Sequence, residues 1–160
     1  MNRVVIYYSL SGNTKDAAKT VKTQLDADII ELKTVKKLSQ NDFKKFMLGG
    51  MRATFGMCAK LEKIEIDLSK YDEIILGTPI WAGRCVPAIN TLLKEKKIAD
   101  KVFAVFTVSD GGDNDKCIAN LKKRLPNMKH TIALADCNNE LSKKNQTSIS
   151  KFVKEILGGE

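Results

Sequence analysis

The sequence predicts an α/β protein in which a doubly wound parallel sheet carries helices on both faces, three layers in all. Three observations predict it. Five short β-branched or apolar runs, spread along 160 residues, read as strands. Four of the five are continuously apolar instead of alternating, as strands covered on both faces require. Amphipathic stretches with helical spacing lie between them, and strand–helix alternation is the pattern of a layered α/β fold. The length is enough for one domain with a sizeable core and too short for two, so residues 1–160 are expected to form a single domain.

The first strand is "RVVIYY" at 3–8. A helix follows at 14–25, with Ala17, Ala18, Val21 and Leu25 on one face. The second strand, "ADIIEL" at 27–32, is shorter and ends polar, which suits a sheet edge. "DEIILG" at 72–77, "KVFAVFTV" at 101–108 and "HTIALA" at 130–135 are the remaining strands. Helix 86–96 aligns Val86, Ile89, Leu92 and Leu93, and Pro87 falls in its first turn, where a missing N–H costs nothing. Helix 114–125 aligns Cys117, Ile118, Leu121 and Leu125. The last, 141–157, aligns Ile149, Phe152, Val153, Ile156 and Leu157 and stops at a glycine pair.

Residues 33–71 break this rhythm. They hold Phe43, Phe46, Met47, Leu48, Met51, Phe55 and Met57 around Gly49-Gly50. Residues 41–48 have room for one or two helical turns capped by Asn41 or Asp42. The excursion either packs a helix on the sheet or covers a ligand, since long loops in compact domains are usually functional. Its Met-rich part, 43–57, suits a homodimer interface as well as a lid.

Composition narrows the function classes. The formal charge is +8, from 27 Lys and Arg against 19 Asp and Glu. The basic runs are dispersed, and aromatic residues, only 6% of the chain, do not interleave with them. A solvated surface therefore explains the charge better than nucleic-acid binding does. No apolar run approaches the roughly 20 residues that span a bilayer, so no membrane partner is expected. "MNRVVIYYS" lacks the length and cleavage site of a signal peptide, which points to the cytoplasm. Cys58, Cys85, Cys117 and Cys137 contain no C-x-x-C pair, and His130 is the only histidine, so no metal site is expected. Reduced, half-buried thiols are the expectation, with Cys85 singled out because it follows a glycine turn.

Chemistry gathers at three turns after strands. Ser9-Leu10-Ser11-Gly12-Asn13-Thr14 puts three hydroxyls, an amide and the free N–H groups of a helix start together. That is what a phosphate dianion needs, and Gly12 permits close approach of the backbone. A helix cap alone is the competing explanation. The spacing is neither G-x-G-x-x-G nor a Walker loop. In "GTPIWAGRC", 77–85, Thr78-Pro79 turns the chain and the only tryptophan, Trp81, is followed by Ala82-Gly83. A lone Trp usually belongs to a core, but here it also suits a wall for a flat ring, with Arg84 facing either that ring or solvent. The third turn, Ser109-Asp110-Gly111-Gly112-Asp113, has two glycines that let peptide groups face a ligand.

These three turns, in order and spacing across nearly the whole chain, resemble the flavodoxin family. Ser9, Ser11, Gly12, Asn13 and Thr14 match its S-x-[ST]-G-N-T pattern. The resemblance implies strand order 2-1-3-4-5 and flavin mononucleotide (FMN) as cofactor. Ser9 to Thr14 would hold the phosphate. Thr78, Pro79, Ile80, Trp81, Ala82 and Gly83, with Ser109, Asp110, Gly111, Gly112 and Asp113, would flank the ring. No catalytic side chain is implied, because the flavin supplies the redox chemistry.

The implied function is soluble electron transfer, with the flavin cycling among its three redox states and redox proteins as partners. The alternative is an NAD(P)H-dependent quinone or flavin oxidoreductase, and a remote one is a cofactor-free interaction module on the same fold. The excursion at 33–71 is similar to the glycine-containing stretch of short family members grouped with NAD(P)H-dependent reductases. Unlike the acidic carriers of the family, this chain is basic. A cation such as Arg84 or Arg52 about 6 Å from the ring would favour the anionic reduced flavin by roughly 1–3 kcal/mol, which implies a less negative potential.

Overall fold

The computed structural model describes residues 1–37, 41, 58–135 and 142–158. Strand β1 (Arg3–Tyr7) leads into helix α1 (Asn13–Leu25) and strand β2 (Asp28–Glu31). After the excursion and a short 3-10 turn (Leu68–Lys70) come β3 (Glu73–Trp81) and the two-residue β4 (Arg84–Cys85). Helices α2 (Pro87–Leu92) and α3 (Lys96–Ala99), strand β5 (Val102–Ser109), helix α4 (Asp115–Lys122), strand β6 (His130–Ala135) and helix α5 (Lys143–Ile156) complete the chain.

Five strands pair in parallel in the order β2-β1-β3-β5-β6, and β4 folds back antiparallel on β3. Read along the five parallel strands alone, this is the expected 2-1-3-4-5. Side chains alternate between two cores, as the pleat requires. Val4, Ile6, Ile74, Leu76 and Val105 face α2, α3 and α4. Val5, Ile75, Ala104, Phe106 and Leu134 face α1 and α5. The four continuous apolar runs were expected to be covered on both faces, and β1, β3 and β5 are. His130–Ala135 departs from this: Thr131, Ala133 and Ala135 are exposed, so β6 is the second sheet edge.

Most boundaries shift by three residues or fewer, and two elements depart further from expectation. The expected strand 72–77 continues to Trp81 as β3, so Thr78, Pro79 and Ile80 are extended and do not turn the chain. Its pairing with β1 stops at Tyr7–Gly77 while that with β5 continues to Pro79–Val108. Among the described residues, Thr78 and Pro79 pair with β5 alone, and proline is tolerated at such an edge. The turn comes at Ala82 and Gly83, with φ of 47° and 75°. Two positive φ values between paired Trp81 and Arg84 make the mirror-image turn that closes two-residue hairpins.

The expected helix 86–96 is divided into α2 and α3. Thr91 Oγ lies 3.1 Å from the Pro87 carbonyl and 2.7 Å from the Ala59 carbonyl, and it accepts the Ala59 N–H at 3.0 Å. A hydroxyl that competes for the carbonyl one turn back bends a helix, and here it also anchors the returning excursion. The excursion leaves and returns as a pair: the Val35 N–H donates to Lys60 O at 2.9 Å and the Glu62 N–H to Lys33 O at 2.8 Å. Asn41 is helical; the rest of the expected turns at 41–48, Arg52 and most of the Met-rich part lie outside the described residues.

The expectation of reduced thiols is corrected at two positions. Cys85 in β4 and Cys117 in α4 form a disulfide, with Cα atoms 5.9 Å apart. Spacing along the chain could not reveal it, because 32 residues separate the two and only the sheet brings them together. Cys58 is exposed and outside this bridge, and Cys137 lies outside the described residues. Among the described residues, no helix is long and apolar enough to cross a membrane.

Candidate functional site

The carboxyl ends of β1, β3 and β5 share one end of the sheet, as the register Tyr7–Gly77–Phe106 requires. The chain winds to one side after β1 and to the other after β3. Such a reversal opens a crevice at the strand ends, where ligands bind in sheets of this kind. The first and third sequence-predicted turns begin there, and the second, displaced to Ala82-Gly83, follows the longer β3.

The first turn caps the start of α1 through Ser9. Ser9 Oγ accepts the N–H groups of Gly12 at 3.1 Å and Lys15 at 3.3 Å. Gly12 sits at φ 104°, with nothing within 4 Å of where a Cβ would stand. That left-handed residue, which favours glycine, swings the chain into α1 without a side-chain cap of its own. Among the described residues, the backbone N–H groups of Ser11, Asn13 and Thr14 meet no protein acceptor. These are the orphan donors of a helix start, and the helix dipole makes them attractive to an anion. Thr14 is 2% exposed. Lys15 pairs with Glu31 at 3.3 Å, so its charge is balanced within the fold. Glu31 also acts on Tyr7: burial first, then the charge and hydrogen bond of Glu31, push the phenol up to about 12.

The second turn is the β3–β4 hairpin. Thr78 is fully buried, and Trp81 is 8% exposed. The Trp81 ring packs edge-on against Tyr8, with centroids 6.0 Å apart, so a residue next to the first turn supports the second. The lone tryptophan has two surroundings. It belongs to the core cluster, and with Tyr8, Val35, Val86 and Pro87 it also lines a cavity of about 360 Å³. Sequence reasoning missed Tyr8, whose place in an apolar strand run carries no signal beyond burial.

In the third turn, the Ser109 hydroxyl donates to the Asp113 carbonyl at 3.1 Å and the Gly112 N–H to the Ser109 carbonyl at 3.2 Å. Gly112 has a φ of 73°. Asp113 Oδ1 accepts the Asp115 N–H at 3.1 Å, which ties the turn to the start of α4. Asn114 donates to the buried Thr107 hydroxyl at 3.0 Å. A Cβ on Gly83 would stand 3.5 Å from Lys116 Cδ, so the second turn lies directly against α4. Lys116 and Asn114 were not foreseen; their roles come from the meeting of two loops distant in sequence. Arg84 pairs in β4 with Trp81 and is partly buried.

Solved structures share this architecture at low sequence identity. A candidate flavoprotein from Bacteroides eggerthii aligns with a TM-score of 0.77 at 18% identity, over 99% of both chains. One from Bacteroides uniformis gives 0.76 at 20% identity, over 96% of this chain and 97% of that one. A flavoprotein from Lactobacillus acidophilus, solved in complex with FMN, gives 0.66 at 20% identity, over 94% and 97%. No curated protein matches the chain. The family model described as flavodoxin matches residues 2–156, and the chain belongs to the flavodoxin family.

Proposed function

We propose that the chain binds FMN at the carboxyl end of the sheet and carries electrons between redox partners. The observation that carries this reading is the set of open donors on Ser11, Asn13 and Thr14, beside two turns that meet through Lys116 and Gly83. Those donors, with the hydroxyls of Ser9, Ser11 and Thr14, would hold the phosphate. The segments Thr78–Gly83 and Ser109–Asp113 would flank the ring, which supplies the redox chemistry when bound. The residues fit such a group: the first turn is unobstructed at Gly12, and every segment named is at one sheet end. Residues 1–160 act as one unit in this reading, in the cytoplasm.

A second reading, an NAD(P)H-dependent FMN oxidoreductase, is favoured by the apolar cavity beside Trp81 and Tyr8. A carrier has no need of a cavity that size next to its ring-flanking turn, whereas an enzyme would seat a small flat substrate there.

Titration of the purified protein with FMN, followed by absorption and flavin fluorescence, tests the shared premise. Absence of saturable binding refutes both readings. Stopped-flow mixing of the loaded protein with NADH and NADPH then separates them. Rapid bleaching by either one removes the carrier reading; slow bleaching with both removes the enzyme.

A further inference from the structure

We propose that Cys85 and Cys117 form a reversible dithiol–disulfide couple that sets the spacing of the second and third turns, and through it the ligand affinity of the site. The inference deepens the FMN reading and rests on it for the identity of the ligand. The bridge joins the two loops that have no other covalent tie. Cys85 immediately follows the Trp81–Arg84 turn, opposite Ile80 in the hairpin. Cys117 is in the first turn of α4, which begins directly after the Asp110–Asn114 loop. Beside the bridge, Gly83 lies against Lys116.

Burial makes the couple consequential. Cys117 is 1% exposed and Cys85 9%, both within the core cluster that includes Trp81, Val86, Ile118 and Leu121. Two thiols need van der Waals separation where two bonded sulfurs do not. A close-packed interior has no slack to absorb the difference, so the hairpin and α4 move apart. Both ring-flanking turns are attached to those elements.

The chemistry balances with an external dithiol as reductant. One of its thiolates attacks the more exposed Cys85 Sγ, the Cys85–Cys117 bond breaks, and Cys117 leaves as a thiolate that takes up a proton. The second thiol of the reductant then attacks the mixed disulfide and releases Cys85 as a thiol. Two electrons and two protons pass to the pair, and the dithiol leaves as a disulfide. The bridged form holds the two turns in place before ligand arrives, so it binds FMN more tightly, by about tenfold. Reciprocity requires bound FMN to lower the midpoint potential of the pair by about 30 mV.

The test uses the full chain equilibrated in glutathione and dithiothreitol buffers of graded potential. Alkylation with mass mapping reports the pair, Trp81 emission reports the hairpin without any flavin, and FMN titration reports the site. The expected result is that alkylation and emission change together, that the bridged form binds FMN about tenfold tighter, and that Cys85→Ser abolishes both responses. If FMN binds neither form, the cofactor reading fails and Trp81 emission alone judges the couple: a titrating signal supports it, a flat one overturns it. Persistence of both thiols in fully oxidised buffer, capture of glutathione in place of the internal bridge, or equal FMN affinity of the two forms overturns the proposal.

Discussion

Gly77 is in the middle of the sheet at the last rung shared by β1, β3 and β5, and its replacement by alanine tests how the core positions the site. Two effects oppose each other. Glycine in a strand costs about 0.5–1 kcal/mol relative to alanine, so backbone propensity alone makes Gly77→Ala stabilising. Sterics say otherwise. The new Cβ would stand 2.7 and 2.9 Å from Cε2 and Cε1 of Phe106, and closer still to Cζ. Phe106 is fully buried between the sheet and helices α1 and α5. The strand is hydrogen-bonded on both sides at this rung, so neither partner moves cheaply. Overpacking of this kind costs roughly 1–3 kcal/mol, and contact with three ring atoms puts it at the upper end. The net loss is about 2 kcal/mol. For a chain of this length that lowers the melting temperature by roughly 4–8 °C. Equilibrium urea unfolding reads the change directly. Gly111→Ala is the control, because nothing lies within 4 Å of its Cβ position, and it should stay within about 0.5 kcal/mol of the parent. Gly77→Ala combined with Phe106→Leu should cost less than the sum of the two changes. A Gly77→Ala protein as stable as the parent would refute the steric argument and show propensity to dominate.

Other outcomes follow from the same geometry. Thr14→Val removes a hydroxyl proposed to donate to phosphate and should weaken FMN binding by about 1–2 kcal/mol, read by fluorescence titration. An unchanged dissociation constant counts against that role. Ala82→Gly relieves a left-handed residue at φ 47° and should raise the urea midpoint, since the strain of about 1–2 kcal/mol exceeds the added freedom of the unfolded chain. A lower midpoint would mean that the turn stores no strain. Tyr7 ionises near 12 in the folded protein against 10.0 for an unperturbed phenol. Its folded value is the raised one, so its stabilisation is complete below 10.0 and is lost as pH climbs to about 12. Urea midpoints across that window should fall, and Glu31→Gln should bring the ultraviolet-detected titration of Tyr7 to lower pH.

Much of the fold is legible locally. His130–Ala135 matches its strand residue for residue, because a β-branched and apolar run ended by polar sequence leaves no other good solution. The burial of Ala17, Ala18, Val21 and Leu25 follows from helical spacing alone. Errors arise where a local signal meets a distant partner. Pro79 reads as a turn until β1 is seen to end one rung after Ile6, at Tyr7, while β3 runs on beside β5 as far as Pro79. The helix after Pro87 reads as continuous until Thr91 meets Ala59. Edge status was equally hidden in "HTIALA", since nothing in that run says which neighbour stops.

By itself the sequence determined the alternation of strands and helices, the two-core patterning and the polar turns after β1 and β5, because periodicity, glycine and small hydroxylated residues act over a few positions. Tertiary structure alone decided that Tyr8 braces Trp81, that Gly83 lies on Lys116, and that Cys85 bonds Cys117. Those contacts join segments far apart along the chain, and only the order and register of the sheet set the distances between them.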